Sequence, residues 1–398
     1  MLETFLQTLI TALAVGSLYA LIALGYTMVY GILKFINFAH SDVFVLGAWV
    51  SFSVAAGAGW GLIGTGTPGT PVATGGAASW VWWVLWIFVG AAALATAVEA
   101  ATWKRLGHTD PFAITKTRLA GTLILVALWS WGCFGLYQGA VLVKRAGDTG
   151  IFSGGIILLC SMMTCGLVGF LIERLAYKPL RKAPRLNVLI TAIGVSLLLQ
   201  NAGQLEALFG TRPQRMPTLL PSDEPWLTLF PGGAGGGVKI WPVDVIGAGT
   251  AVALMFLLDW FVHHTKFGRA MRAVSYSPTT ASLMGINVDR VMSVTFVIGA
   301  ALAAAAGFLM SQKYSGLNQT AAATWVLLGL KAFVAAVVGG IGNLRGAMLG
   351  GILIGLLEFF GAAYISAAMR DVYVFSLLII VLLFKPSGLL GKPPMEKV

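Results

Sequence analysis

Few residues in this 398-residue chain are of types that do chemistry, and the most telling ones stand inside apolar runs. Lys331 falls in the run 324–341 and Glu358 in the run 343–366. A charge inside such a run is costly unless it is paired. Counted from the ends of their runs, the two sit at similar depths, about 10–12 Å at 1.5 Å per residue. This predicts a buried ion pair that faces the interior, with a structural role. A second polar set, Asn37, His40 and Asp42, lies between two apolar runs. Asn and Asp are good helix N-caps; contact with a partner or a gate is the other reading. Covalent and metal chemistry lack their constellations. His263-His264 has no third ligand near it in sequence, so a metal site is not expected. No Ser/His/Asp spacing and no HExxH occur, so no catalytic residues are expected. Gly388-Leu389-Leu390-Gly391-Lys392 runs into Pro393 and is not a phosphate-binding loop. Cys133, Cys160 and Cys165 sit in apolar surroundings and read as buried free thiols.

The elements that carry these residues follow from composition. Hydrophobic residues make up 58% of the chain and charged ones 10%, against about a quarter charged in soluble domains. That excludes an ordinary cytosolic enzyme. A membrane helix needs about 20 apolar residues. Eleven stretches qualify: 5–30, 38–56, 80–102, 119–143, 154–176, 185–201, 242–262, 291–312, 324–341, 343–366 and 370–385. The fold expected is an all-α polytopic membrane protein forming one membrane-spanning domain over 1–398. The first run has no basic flank and is not read as a cleaved signal.

The net charge of +11 could suggest nucleic acid, but its placement says otherwise. Lys178, Arg181, Lys182 and Arg185 cluster in one loop, and Lys266, Arg269, Arg272 and Arg290 in another. The positive-inside rule places both in the cytoplasm. Alternation then gives the cytoplasmic loops seventeen basic residues and the opposite loops seven. The N-terminus is expected outside and the C-terminus in the cytoplasm, with no nucleic-acid role. Two outer loops are long. Residues 57–79 are uncharged, and 202–241 are Pro/Gly-rich. Such composition forms no core of its own, although short helices or a docked partner are compatible with it.

Within 263–290, Lys266, Arg269 and Arg272 are three apart and share a helical face. Ser277-Pro278 can start a second short helix that stops near Gly285. Charge alone allows a solvated loop beside anionic lipid as readily as a docking helix. Glycines Gly342, Gly346, Gly350, Gly351 and Gly355 recur at spacings of four, the small-residue pattern of close helix packing in membranes.

Several segments together resemble the permease subunits of branched-chain amino acid ABC importers. They are Tyr19–Gly31 with Ile36-Asn37-Phe38-Ala39-His40-Ser41-Asp42, Glu173–Arg181 with Leu189–Ser196, Phe267–Val274 leading to Leu283–Val291, and Gly329–Phe333 with Val338–Asn343 and Gly346–Gly351. The resemblance implies an importer permease for branched-chain or related amino acids, in the inner membrane of a prokaryote. Urea or amides are the nearest alternative cargo, and an ion-coupled secondary transporter is a more distant one. It implies partners: a second permease subunit, two cytoplasmic ATPase subunits that bind ATP and Mg, and a solute-binding protein outside. No cofactor is expected in this chain. The loop 263–290 becomes a coupling loop, with Lys266, Phe267, Gly268, Arg269, Arg272, Ser277, Pro278, Ala281, Leu283 and Gly285 against the ATPase. Where the family usually has an acidic residue followed by Ala-Ala, Thr279-Thr280-Ala281 stands here. Residues 80–150 depart further. They hold two extra apolar runs rich in tryptophan, including Trp80, Trp82, Trp83, Trp86, Trp103, Trp129 and Trp131. A peripheral helical hairpin is expected there.

Overall fold

The computed structural model describes residues 2–35, 37–57, 129, 132, 133, 135, 138, 151–181, 183–205, 208–220, 224–230 and 237–391. Apolar runs of bilayer length become helices because a helix satisfies every backbone group internally. They are α1 (Leu2–Leu33), α2 (Ala39–Gly57), α3 (Ile151–Ile172), α4 (Arg185–Gly203), α5 (Pro242–His264), α6 (Lys266–Tyr276), α7 (Pro278–Leu283), α8 (Val288–Lys313), α9 (Ala323–Gly339), α10 (Leu344–Tyr364) and α11 (Arg370–Phe384). Among the described residues, seven helical segments are long and apolar enough to cross a membrane, and α2 and α9 are shorter apolar helices. The chain is therefore an all-α polytopic membrane protein. Of the eleven expected spans, 80–102 lies outside the described residues, and so does most of 119–143. The expected hairpin over 80–150 and the loop 57–79 lie largely outside them as well. Where the second run is described, Trp129 packs against α3 and donates to the Met163 carbonyl at 2.9 Å.

The centre of the bundle is α1 and α8, each with 72% of its most apolar stretch buried. α1 packs on α10, α8, α9 and α5, while α8 packs on α3, α2 and α1. The corresponding shares are 17% for α4 and 11% for α11. Those two helices turn Leu186, Ile190, Leu198, Ile379 and Leu383 outward, surfaces suited to lipid or another subunit.

Two local devices shape the ends. α1 stops at Lys34, which takes a left-handed φ of +57° and whose N–H bonds the Tyr30 carbonyl at 2.8 Å. α3 continues as a π-helical turn, Glu173–Tyr177, and a 3₁₀ turn, Lys178–Leu180. Pro179 cannot supply the N–H that a regular helix needs there, and the widened turn absorbs the defect.

The described part of residues 204–241 carries short strands. β1 (Gln214–Arg215) pairs antiparallel with β4 (Gly316–Leu317), and β2 (Leu227–Leu229) with β3 (Val238–Ile240). This segment lends Met216 and Leu219 to the core of the bundle. It is pinned by the Met216 N–H to the Ser315 carbonyl at 2.7 Å and by Phe209 stacked on Trp49.

Candidate functional site

Lys331 and Glu358 meet. α9 and α10 run side by side, so residues eight and fourteen positions into them reach the same level. Lys331 Nζ lies 2.9 Å from Glu358 Oε1, and both side chains are buried. Two partners join them. The Tyr19 hydroxyl of α1 donates to Glu358 Oε2 at 3.0 Å. Asp371, in the first turn of α11, places Oδ1 2.7 Å from Lys331 Nζ. A lone Lys–Glu pair in an apolar bundle carries a large desolvation cost; here Tyr19 and Asp371 add one further partner to each member. The cluster also borders a cavity of about 400 Å³. Its wall includes Met310, Tyr314, Trp325, Leu327, Leu328, Phe359 and Arg370. The Arg370 guanidinium stands over the Phe359 ring, 5.6 Å from its centroid. Burial, and then the Glu358 carboxylate, raise the pKa of Tyr314, which lies in the segment between α8 and α9. Its hydroxyl therefore stays protonated and able to donate.

Asn37, His40 and Asp42 are buried at the junction of α1, α2, α3 and α4. The Asn37 oxygen accepts from the Tyr177 hydroxyl at 2.6 Å, so its side chain reaches across to the π turn. The His40 ring packs edge-on against Tyr26 at 4.6 Å, against a bare Gly25 where a Cβ would collide with the imidazole. Gln200 of α4 donates to Asp42 Oδ1 at 2.8 Å. All three side chains make contacts between helices of this chain. Beside them, the π turn aims the fully buried Glu173 at Arg181, and Ser293 of α8 donates to Glu173 Oε2 at 2.6 Å. Arg181 also pairs with Asp289 at the start of α8.

The segment 263–290 folds as two capped helices. The Thr265 hydroxyl accepts from the Gly268 N–H at 3.0 Å, and the Ser277 hydroxyl from the Thr280 N–H at 3.2 Å. Gly268 is required by the sharp entry to α6, because a Cβ there would strike the Val262 carbonyl. Gly268, Met271 and Val274 are buried, while Lys266, Arg269 and Arg272 are exposed, so the basic face is the free one. Ser275 of α6 donates to the Gly31 carbonyl of α1 at 2.7 Å. α7 buries Ala281 and ends at Gly285, with φ +80°. Pro278, Tyr276, Leu283 and Met284 are exposed, the last three about four-fifths or more. A basic face flanked by exposed apolar tips is the composition of a protein contact.

The glycines separate into two faces of α10. A Cβ on Gly346 or Gly350 would strike the Gly339 or Ala335 carbonyl of α9. A Cβ on Gly351 or Gly355 would strike Ala20, Gly16 or Ala12 of α1. These glycines serve packing within the chain. Gly342 requires a correction: it precedes α10, has φ +93° and touches nothing a Cβ would meet. It shapes the turn after α9 and is not part of the α10 packing face.

Sequence reasoning missed Tyr19, Arg370 and Asp371 at the ion pair, Tyr177 and Gln200 at the polar junction, and Tyr276 and Met284 at the exposed tip. Asp371 had one available signal, an acid in the first turn of an otherwise apolar helix. Tyr19, Tyr177 and Gln200 are joined to their partners only by long-range packing.

Comparison with known proteins shows the family. The family described as the permease component of the branched-chain amino acid transport system matches residues 8–141 and 130–383. The high-affinity branched-chain amino acid transport system permease protein BraD of Pseudomonas aeruginosa is 35% identical over 394 aligned positions, covering 99% of this chain and 98% of the relative. LivH of Escherichia coli, named in the same way, is 34% identical over 399 aligned positions, covering 99% and 98%. The xylose/arabinose import permease XylH of Sulfolobus acidocaldarius is 29% identical, covering 57% of this chain and 59% of its own. No solved structure matches. With a family match across most of the chain and relatives similar from end to end, this protein belongs to the branched-chain amino acid transport system permease family.

Proposed function

We propose that this chain is the membrane-spanning permease subunit of an ATP-driven, binding-protein-dependent importer of branched-chain amino acids. The reading is carried by near-full-length similarity to permeases of that name. It is supported by the exposed basic and apolar surface of α6 and α7. In this reading two cytoplasmic ATPase subunits bind ATP and Mg, and one of them docks on residues 263–290. A second permease subunit completes the path, and a solute-binding protein delivers cargo at the outer face. The N-terminus lies outside and the C-terminus in the cytoplasm of a prokaryotic inner membrane, with eleven segments in all. The hairpin over 80–150 is peripheral to the conserved bundle.

Coupling has a physical route. α6 is fastened to Gly31 at one end of α1. α1 is continuous to Tyr19 at the ion cluster, about 18 Å away at 1.5 Å per residue. A shift of α6 imposed by ATP is thereby conveyed to the ion cluster at the middle of α1 as motion of one stiff element. For this to drive transport, ATP and solute must each favour a different one of two conformations. An ion-coupled transporter would need a relay through the membrane core. Reconstitution with ATPase and binding-protein partners should give leucine uptake that requires ATP and stops with vanadate. Gradient-driven uptake by this chain without ATPase subunits would overturn the reading.

A further inference from the structure

The cavity beside Lys331 has a composition that an ion pair of purely structural use does not need. Its charged groups are Lys331, Arg370, Glu358 and Asp371, two cations and two anions. A ligand of net charge would leave this set unbalanced, whereas a zwitterion would not. Glu358 and Lys331 are buried and mutually paired. Asp371 and Arg370 face the opening. The Asp371 side chain is 48% exposed and gives Oδ1 to Lys331, which leaves room for a further donor at the carboxylate. Arg370 is its chain neighbour and lies over Phe359. Both line the cavity, a cation and an anion to receive the two charges of a free amino acid. The lining also has an apolar part, Trp325, Leu327, Leu328 and Phe359. The volume of about 400 Å³ lies in the range of small-molecule sites, about 300–1,000 Å³.

We propose that this cavity between α1, α9, α10 and α11 is a transfer site for a zwitterionic amino acid with an aliphatic side chain. The ammonium goes to Asp371, the carboxylate to Arg370, and the side chain to the Leu327–Leu328–Phe359 wall. Lys331 and Glu358 hold Asp371 in place and act as positioning residues. The inference rests on the importer reading above and adds the point at which cargo touches this chain.

The test uses the whole importer in liposomes, with radiolabelled leucine and valine as probes. Asp371→Asn should lower uptake of both by about tenfold, the loss of one charge-assisted hydrogen bond, and Asp371→Glu should restore much of it. Leu328→Trp narrows the apolar wall and should lower the leucine-to-valine uptake ratio by about fivefold. A merely structural role would move both amino acids together. Uptake by Asp371→Asn at the wild-type rate, or an unchanged ratio in Leu328→Trp, overturns the site. Should Asp371→Asn fail to fold, the ratio decides. A wild-type complex that moves no branched-chain amino acid overturns the importer reading and this ligand with it.

Discussion

Replacing Lys331 by methionine strands a carboxylate. Glu358 is 4% exposed, and its cationic partner would be gone while the Tyr19 hydroxyl stays. Removing one partner of a buried ion pair costs about 3–5 kcal/mol. The two carboxylates on Lys331 contribute unequally. Asp371 is 48% exposed, so solvent screens its arm, and Asp371→Asn should cost only about 0–1 kcal/mol in stability. Glu358→Gln leaves Lys331 with that half-exposed anion and should fall between the two. The double variant Lys331→Met with Glu358→Gln removes both buried charges, and its cost should fall short of the sum of the singles by about 2 kcal/mol. The assay is unfolding of the purified protein in detergent, followed by tryptophan fluorescence, on all four members of the cycle. Additivity within about 0.5 kcal/mol would refute the pairing as an energetic unit. A large stability loss in Asp371→Asn would equally contradict the assignment of its arm as screened.

Four other outcomes follow from the same geometry. Gly351→Val drives a side chain into the Ala20 backbone and should abolish folded yield, whereas Gly247→Ala, which meets nothing, should be neutral or stabilise by up to about 1 kcal/mol; size-exclusion profiles of the two compare directly. Leu283→Glu with Met284→Glu should remove ATPase subunits from the purified complex while membrane insertion is kept, checked by co-purification. Tyr177→Phe loses a buried hydrogen bond to Asn37 and should cost about 1–3 kcal/mol in the same unfolding assay. Ser277→Ala removes the cap of α7, costing about 1 kcal/mol, and should weaken ATPase association without altering the spans.

What the sequence disclosed depended on the range of the interaction. The helices were legible because most of the apolar runs are long enough to span by themselves, a local property. The Lys331–Glu358 pair was legible because depth is a simple function of position along two adjacent helices. Thr265 and Ser277 cap within three residues, so the layout of 263–290 could also be read locally. Tyr19 was not legible as a partner, because 339 positions separate it from Glu358 and its spacing carries no trace of that contact. Gly342 misled because a spacing of four continues past the start of α10, where the backbone is already a turn. The strands at 214–215 and 316–317 are too short to leave a period-two pattern, and their pairing is set by the docking of Met216 and Leu219 into the bundle. The reach of Asn37 to Tyr177 depends on the π turn at 173–177, a backbone adjustment that residue types alone do not announce.

The most direct measurement is leucine uptake into liposomes holding this chain with its second permease subunit, ATPase subunits and binding protein. The account predicts uptake that requires ATP, is blocked by vanadate and disappears when the exposed tip at Leu283 and Met284 is made acidic. Uptake that persists without ATPase subunits, driven by an ion gradient, would contradict it.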